Sequence, residues 1–404
     1  MQTNLAEFTN KIDEQSELEN IIRSCVHCGF CNATCPTYLL TGNELNGPRG
    51  RIYLIKEMLE GGNVSQHTQH YLDQCLGCRA CETTCPSGVE YSRLMDLAAV
   101  VVEDKVSRPY FDRIIRQLIL IVFPYRQRFK RLMQLATLFK PCLPKSFANL
   151  IPKNTVLKKQ ALPLHKRTVL CLSGCVQPAL APKIDLAAER LLNKFEISLV
   201  QIKEPMCCGA LSYHLSEHDK AKLSAKKNID SCWPLIEQGV EAITMTASGC
   251  GLALKEYVTL LQYDSEYAEK AKQFSVLVKD ISEILILEDL SGFSADNKRV
   301  AFQSPCSLQH GQGLSGVVQL VLQRAGLQLV ATKNSHLCCG SAGVYSILQA
   351  DMAEQLRDQK LADLSVEDAD CIVTANIGCL SHLQAKSEKP IVHWLELLES
   401  VGRI

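Results

Sequence analysis

The sequence contains no apolar run long enough, at about 18 residues, to cross a bilayer, so no membrane-spanning helix is expected. It has no net charge either. Its 43 Lys and Arg balance 43 Asp and Glu, which removes the global electrostatic case for nucleic acid as a partner. The opening stretch MQTNLAEFTNKIDEQSELEN is polar and acidic, without the apolar segment of a secretory signal, so the chain is expected to stay in the reducing cytoplasm. No P-loop occurs. One formal G-x-G-x-x-G, Gly311 to Gly316, lies too far beyond the strand expected to end near Gln303 to make the tight turn of a dinucleotide site. No acid ends the strand that follows it, so dinucleotide binding is not expected there.

What the chain does have is cysteine, 20 in 404 residues. A chain of this length can build two or three domains with real cores and does not need disulfide staples. In a reducing compartment, clustered cysteines favour metal ligation or redox chemistry.

Two runs dominate the first hundred residues: CVHCGFCNATCP from Cys25 to Pro36, and CLGCRACETTCP from Cys75 to Pro86. Both fit C-x2-C-x2-C-x3-C-P, the pattern of bacterial two-cluster ferredoxins. Three thiolates spaced by two residues wrap one face of an iron–sulfide cube. The fourth, set apart by three residues and followed by proline, reaches the other cluster. Cys25, Cys28, Cys31 and Cys85 are therefore expected to hold one 4Fe–4S cluster. Cys75, Cys78, Cys81 and Cys35 are expected to hold the second. Zinc also takes C-x2-C pairs, but four ligands per ion leave the doubled triple-plus-proline pattern unexplained. Gly29 and Gly77 suit close approach of backbone to a cluster. Leu18 to Arg23 reads as a helix leading into the first run. Gly47-Pro48-Arg49-Gly50 reads as a turn, with a helix over Arg51 to Leu59. Arg49 and Arg51 can offset cluster charge or simply face water.

Between Lys105 and Lys145 there are ten Lys or Arg and one acid, Asp112. Apolar residues interleave with them, which predicts two amphipathic helices broken at Pro124. The pair suits docking to an anionic membrane surface or an acidic partner, and equally suits a connector with a solvated charged face. Pro141, Pro144, Pro152 and Pro163 mark a linker, and the lone Cys142 within it is read as a bystander.

The second half is an internal repeat. VLCLSGCVQPA (Val169 to Ala179) lies over VAFQSPCSLQH (Val300 to His310). EISLVQIKEPMCCGA lies over LQLVATKNSHLCCGS, and AITMTASGCG over CIVTANIGCL. Cys175 and Cys207 are 32 positions apart, as are Cys306 and Cys338. Cys208 and Cys250 are 42 apart, and Cys339 and Cys379 are 40 apart. A shared cysteine frame of this kind marks a duplicated module. Each copy alternates β-rich and helical sequence, which predicts an α/β module with a parallel sheet and its cysteines just past strand ends, where such sheets bind ligands. Cys175, Cys207, Cys208 and Cys250 are thus expected at one site, and Cys306, Cys338, Cys339 and Cys379 at another. Cys171, Cys232 and Cys371 break the frame and are read as buried small hydrophobes. His214, His310, His336 and His382 flank the sites and are donors to them, cluster ligands or ordinary surface or satisfied histidines.

The expected fold is α+β overall. An α-helical two-cluster ferredoxin-like domain (1–104) and a basic helical connector with its linker (105–165) precede two homologous α/β modules with parallel sheets (166–295 and 296–404), each named CCG for its Cys-Cys-Gly signature. The motifs CVHCGFCNATCPTY, GPRGRIYL, CETTCPSGV, TASGCG, SHLCCGSAG and TANIGC, in this order over the whole chain, resemble the iron–sulfur subunits of bacterial glycolate oxidase. That resemblance implies an electron-transfer subunit beside two FAD-linked-oxidase-type flavoprotein partners, which oxidise glycolate to glyoxylate. It also implies FAD on the partners, electrons passed towards the quinone pool, and a place on the cytoplasmic face of the inner membrane. No catalytic residue is implied on this chain. The same layout occurs in the third subunit of anaerobic glycerol-3-phosphate dehydrogenase, and CCG modules occur in lactate-utilisation proteins and heterodisulfide reductase subunits. In the last of these, each full module ends in C-x-x-C and carries five cysteines for disulfide chemistry. Here Ala247 and Asn376 stand where the extra cysteine would be, which argues against that chemistry. A cluster, an incomplete cluster, zinc or no metal all stay open for each CCG site.

Overall fold

The structure, a computed structural model, describes residues 1–11, 14–140, 162–202, 207–295, 298–365 and 367–401. Most of the proline-marked linker, with Cys142, lies outside them. Among the described residues no helix is long and apolar enough to cross a membrane. The chain forms two compact units.

The first unit comprises residues 1–116 together with 336–360. Its N-terminal part is helical: α1 (Gln15–Ser24), α2 (Pro36–Thr41), α3 (Pro48–Leu59), α4 (Gln66–Asp73), α5 (Ala80–Thr84) and α6 (Tyr91–Lys105). The helix expected before the first cysteine run is α1, and it buries Leu18, Ile21 and Ile22. Met58 and Leu59 of α3 and Leu94 and Ala98 of α6 join them in one core. Each such side chain contributes roughly 1.5–3 kcal/mol when fully buried. The GPRG stretch is not a separate turn. Pro48 occupies the first position of α3, where its missing N–H costs nothing and its fixed φ suits the helix. Gly50 is required there because a Cβ would sit 2.2 Å from the Glu44 carbonyl oxygen.

Beyond the first unit's core, α7 (Tyr110–Val122) and α8 (Arg126–Leu138) flank Pro124, the two helices that the basic stretch predicts. Phe123 and Phe129 meet edge to face at their junction.

The second unit, residues 117–335 and 361–404, carries two parallel sheets. In the first, β1 (Arg167–Cys171) lies between β2 (Ile197–Gln201) and β3 (Ala242–Thr244), with Val169 opposite Leu199 and Ala242. In the second, β4 (Arg299–Gln303) lies between β5 (Gln328–Val330) and β6 (Cys371–Thr374), and β7 (Ile391–His393) extends the edge. The repeat reaches even this fourth strand, because Val278 bridges Ile243 in parallel where β7 pairs with β6. β1 is buried on both faces. Val169 and Cys171 enter one core, Leu170 and Leu172 another, as a helix-covered parallel sheet requires. The first of these cores also takes Val300, Phe302 and Val373 from the second sheet, so the two sheets share it. Polar contacts link the modules near their strand ends: Ser248 Oγ and Ser307 Oγ lie 2.8 Å apart, and Gln312 Nε2 donates to the Ser248 carbonyl at 2.9 Å.

Candidate metal centres

The two ferredoxin-type runs fold as copies of one loop. His27 and Gly77 have φ of 59° each, and Gly29 and Arg79 have φ of 86° and 60°. The residue two after the first cysteine and the residue after the second are left-handed in both runs, so successive thiols turn inward rather than along a strand. One glycine per run relieves the strain at one of the two positions. The sequence points to Gly29 and Gly77 but gives no sign that His27 and Arg79 share their conformation.

Cys25, Cys28, Cys31 and Cys85 line one open cleft of about 420 Å³, which Cys81 of the second run, Arg49 and Tyr91 also line. Burial first, then the neighbouring Cys25, Cys28 and Cys85, pushes the Cys31 thiol up to about 11. Burial also raises Cys25, against the lowering influence of the His27 backbone. The second set is tighter. Cys81 is buried, and burial, followed by Cys78, Cys75 and Cys35, holds its thiol well above the ordinary range. Tyr91 donates to Cys75 Sγ at 3.8 Å and the Gly77 N–H donates to it at 3.5 Å, while Thr37 Oγ1 lies 3.3 Å from Cys35 Sγ. Cys85 thus lies beside the thiols of the first run, and Cys35 acts on Cys81 of the second. Crowded, desolvated thiols resist ionisation unless bound cations offset the charge, so each donor set suits an iron–sulfur cluster. Among the described residues no three His, Cys, Asp or Glu converge as ligands of a single metal ion.

Arg51 reads in the sequence as a residue that can face water. Here it is 1% exposed, donating from Nε to the Tyr71 carbonyl at 2.8 Å and from Nη2 to Thr37 Oγ1 at 3.3 Å. Arg49 lines the first cleft and pairs with Glu44 at 2.6 Å. Asp73, which ends α4 two residues before Cys75, accepts from both terminal nitrogens of Arg108 at 2.6 and 2.9 Å. Tyr345 also belongs here and is invisible in any local pattern. Its hydroxyl donates to the Gln74 carbonyl at 3.3 Å across 271 residues. The charges that act on it include Cys75, Arg51, Cys338 and Cys35.

In the first CCG module the four framed cysteines meet just beyond the strand ends. Cys175 Sγ donates to Cys207 Sγ at 3.6 Å. Cys207 is held well below the ordinary range as acceptor from Cys175 and Cys208, while Cys208, bonded to Cys207 and Cys250, is held above it. Tyr257 donates to the Cys208 carbonyl at 3.0 Å, and Asn228 donates to the Cys207 carbonyl at 3.1 Å. In the second module, Cys379 accepts from the Asn376 side-chain amide at 3.7 Å, so the residue in place of a fifth cysteine is a hydrogen-bond donor to a framed one. Cys338 and Cys339 are buried within the first unit, and Cys306 is half-buried. Cys171, Cys232 and Cys371 are buried in apolar cores, and burial pushes Cys232 up to about 12.

Comparison with known proteins follows the same divisions. The 4Fe-4S dicluster domain family matches residues 21–89, and the cysteine-rich domain family matches 169–255 and 300–384. The glycolate oxidase iron-sulfur subunit of Escherichia coli strain K12 is 48% identical over 99% of this chain and 98% of its own. The probable glycolate oxidase iron-sulfur subunit of Bacillus subtilis strain 168 is 32% identical over 95% and 92%. Lactate utilization protein A of Bacillus velezensis is 25% identical, covering 57% of this chain and 97% of its own. The crystal structure of a hypothetical protein from Helicobacter pylori shares the fold at a TM-score of 0.55 and 11% identity, over 97% of this chain and 72% of that one.

Proposed function

The chain belongs to the family of glycolate oxidase iron–sulfur subunits, and from that premise we propose that it carries electrons within an FAD-dependent glycolate dehydrogenase. Electrons enter from two FAD-linked-oxidase-type partners, which convert glycolate to glyoxylate, and leave towards the quinone pool. The observation that carries this reading is the exchange of fourth cysteines, Cys85 lining the first run's cleft and Cys35 acting on Cys81 of the second. When bound, two 4Fe–4S clusters would supply one-electron acceptor sites with potentials tuned by charge, hydrogen bonds and burial. Cys25, Cys28, Cys31 and Cys85 would hold one, and Cys75, Cys78, Cys81 and Cys35 the other.

The protein's own work is to fix and insulate these thiols. Tyr91 and the Gly77 N–H orient Cys75, Thr37 steadies Cys35, and the core of α1, α3 and α6 packs against thiols of both sets. Electron transfer of this kind needs no proton donor, and no acid–base residue is assigned to this chain. The thiol set Cys175, Cys207, Cys208 and Cys250 is a candidate for a further cluster. Leu118, Leu135 and Leu138 are 56%, 54% and 75% exposed, and the exposed Arg126, Arg128, Lys130 and Arg131 accompany them with no acid between 113 and 140. This face suits the anionic cytoplasmic surface of the inner membrane.

The test is Cys78→Ser in the assembled complex. Glycolate should still reduce the partner flavin, while reduction of a quinone acceptor should be lost. Unchanged quinone reduction would remove the relay role.

A further inference from the structure

The two ferredoxin-type sites have the same cysteine spacing but differ in how their cations are held: at the first, the part-exposed Met1 ammonium acts on Cys25 and Arg49 faces the cleft, while at the second the cation is buried. Beside the first, Arg49 is paired with Glu44 at 2.6 Å, and both side chains are more than a third exposed. That pair is close to neutral and screened by water. Beside the second, Arg51 is 1% exposed, and the largest charges acting on it are those of Tyr91, Cys75 and Cys35. Its guanidinium is fixed by Tyr71 and Thr37, and Thr37 in turn touches Cys35 Sγ.

An isolated cation in a dry interior acts far more strongly on a nearby charge than one facing solvent. Reduction adds one negative charge to a cluster, so a fixed positive neighbour favours the reduced form and raises the potential. Burial of the second site works the other way, because desolvation penalises the more highly charged reduced state. Arg51, fixed by Tyr71 and Thr37 beside Cys35 and itself shielded from water, opposes that penalty.

We propose that Arg51 makes the cluster held by Cys75, Cys78, Cys81 and Cys35 the more oxidising of the two, so that an electron delivered to the first cluster comes to rest on the second. The step moves one electron between the sites, with no bond made or broken and no proton transferred. Cys338 acts on Tyr345 together with Cys75, Arg51 and Cys35, all within the first unit. The inference rests on the cluster assignment above and adds a direction to it.

The experiment is a redox titration of the purified chain followed by electron paramagnetic resonance. Cys85→Ser isolates the second cluster and Cys35→Ser isolates the first, so the two midpoints are read separately. The second should be the higher. In Arg51→Met the second midpoint should fall enough to shift electron sharing between the clusters at least tenfold, about 59 mV for a one-electron couple, with the first midpoint unmoved. Arg51→Lys should fall less, because it keeps the charge without the fork. A first midpoint at or above the second in the wild-type background would overturn the proposal even if Arg51→Met does not fold. So would an Arg51→Met protein with both clusters intact and both midpoints unchanged. A colourless, iron-free protein would instead remove the cluster assignment itself.

Discussion

Arg108 fastens the loop before α7 to the helix that delivers Cys75. Its terminal nitrogens bond Asp73 at 2.6 and 2.9 Å, its Nε bonds Glu103 at 2.7 Å, and Asp112 lies 3.3 Å away. Arg108→Ala would leave three carboxylates facing one another, with only Arg116 nearby, at 3.1 Å from Asp112 and 3.4 Å from Asp73. Breaking a buried pair costs about 3–5 kcal/mol. The arginine side chain is 9% exposed, but the carboxylates are 21–30% exposed, so water recovers part of that cost. A loss of roughly 2–4 kcal/mol remains. If a chelator strips iron through local opening of this unit, each 1.36 kcal/mol is tenfold in the open population. Arg108→Ala should then bleach on the order of 10²-fold faster, beginning with the cluster that includes Cys75. Arg108→Lys should fall between, since a point charge cannot span the three partners. The assay is the loss of visible absorbance under excess chelator, with urea unfolding in parallel. Bleaching at the wild-type rate in Arg108→Ala would refute the reasoning.

Three further outcomes follow from the same structure. Cys85→Ser should remove the cluster built on residues 25–31, far away in sequence, and halve the iron from about eight to about four per chain; loss of the cluster on residues 75–81 instead would reverse the crossing. Vesicles rich in anionic lipid should bind the protein at low salt and release it as salt rises, and Leu118→Glu with Leu135→Glu should abolish binding; equal binding by this double variant would remove the docking face. His393 is fully buried, and burial lowers its pKa from 6.5 to about 3. The unfolded chain then binds the extra proton first, so stability that is complete above pH 6.5 is lost as pH falls towards 3, by on the order of 4 kcal/mol. His393→Asn should flatten urea midpoints over that window, and a slope equal to the wild type's would show that other groups carry it.

The parts legible in the sequence are those set by spacing. C-x2-C-x2-C-x3-C-P already implies exchanged fourth ligands, and equal separations in two segments imply a module used twice. Pro124 breaks α7 from α8 because its ring cannot sit inside a helix. What escaped depends on contacts between distant residues. GPRG looks like a turn until the Glu44 carbonyl is seen packing on Gly50, which makes it the first turn of a helix. Arg51 and Arg49 are two residues apart, yet one enters the core and the other faces a cleft, because successive helix positions point to different sides. His27 and Arg79 take a backbone conformation that their residue type does not announce. Tyr345 and Asn376 show their partners, Gln74 and Cys379, only in three dimensions, although the absence of a fifth cysteine at Asn376 did mark that position.

Two interlocked iron–sulfur clusters on eight N-terminal cysteines are the proposal on which the electron-transfer role depends. Iron, acid-labile sulfide and zinc measured on the anaerobically purified chain, with electron paramagnetic resonance after reduction, test it most directly. A brown protein is expected, with at least about eight irons and matching sulfide, and two interacting cluster signals. A colourless protein with zinc in place of iron, or a single signal from about four irons, would contradict it.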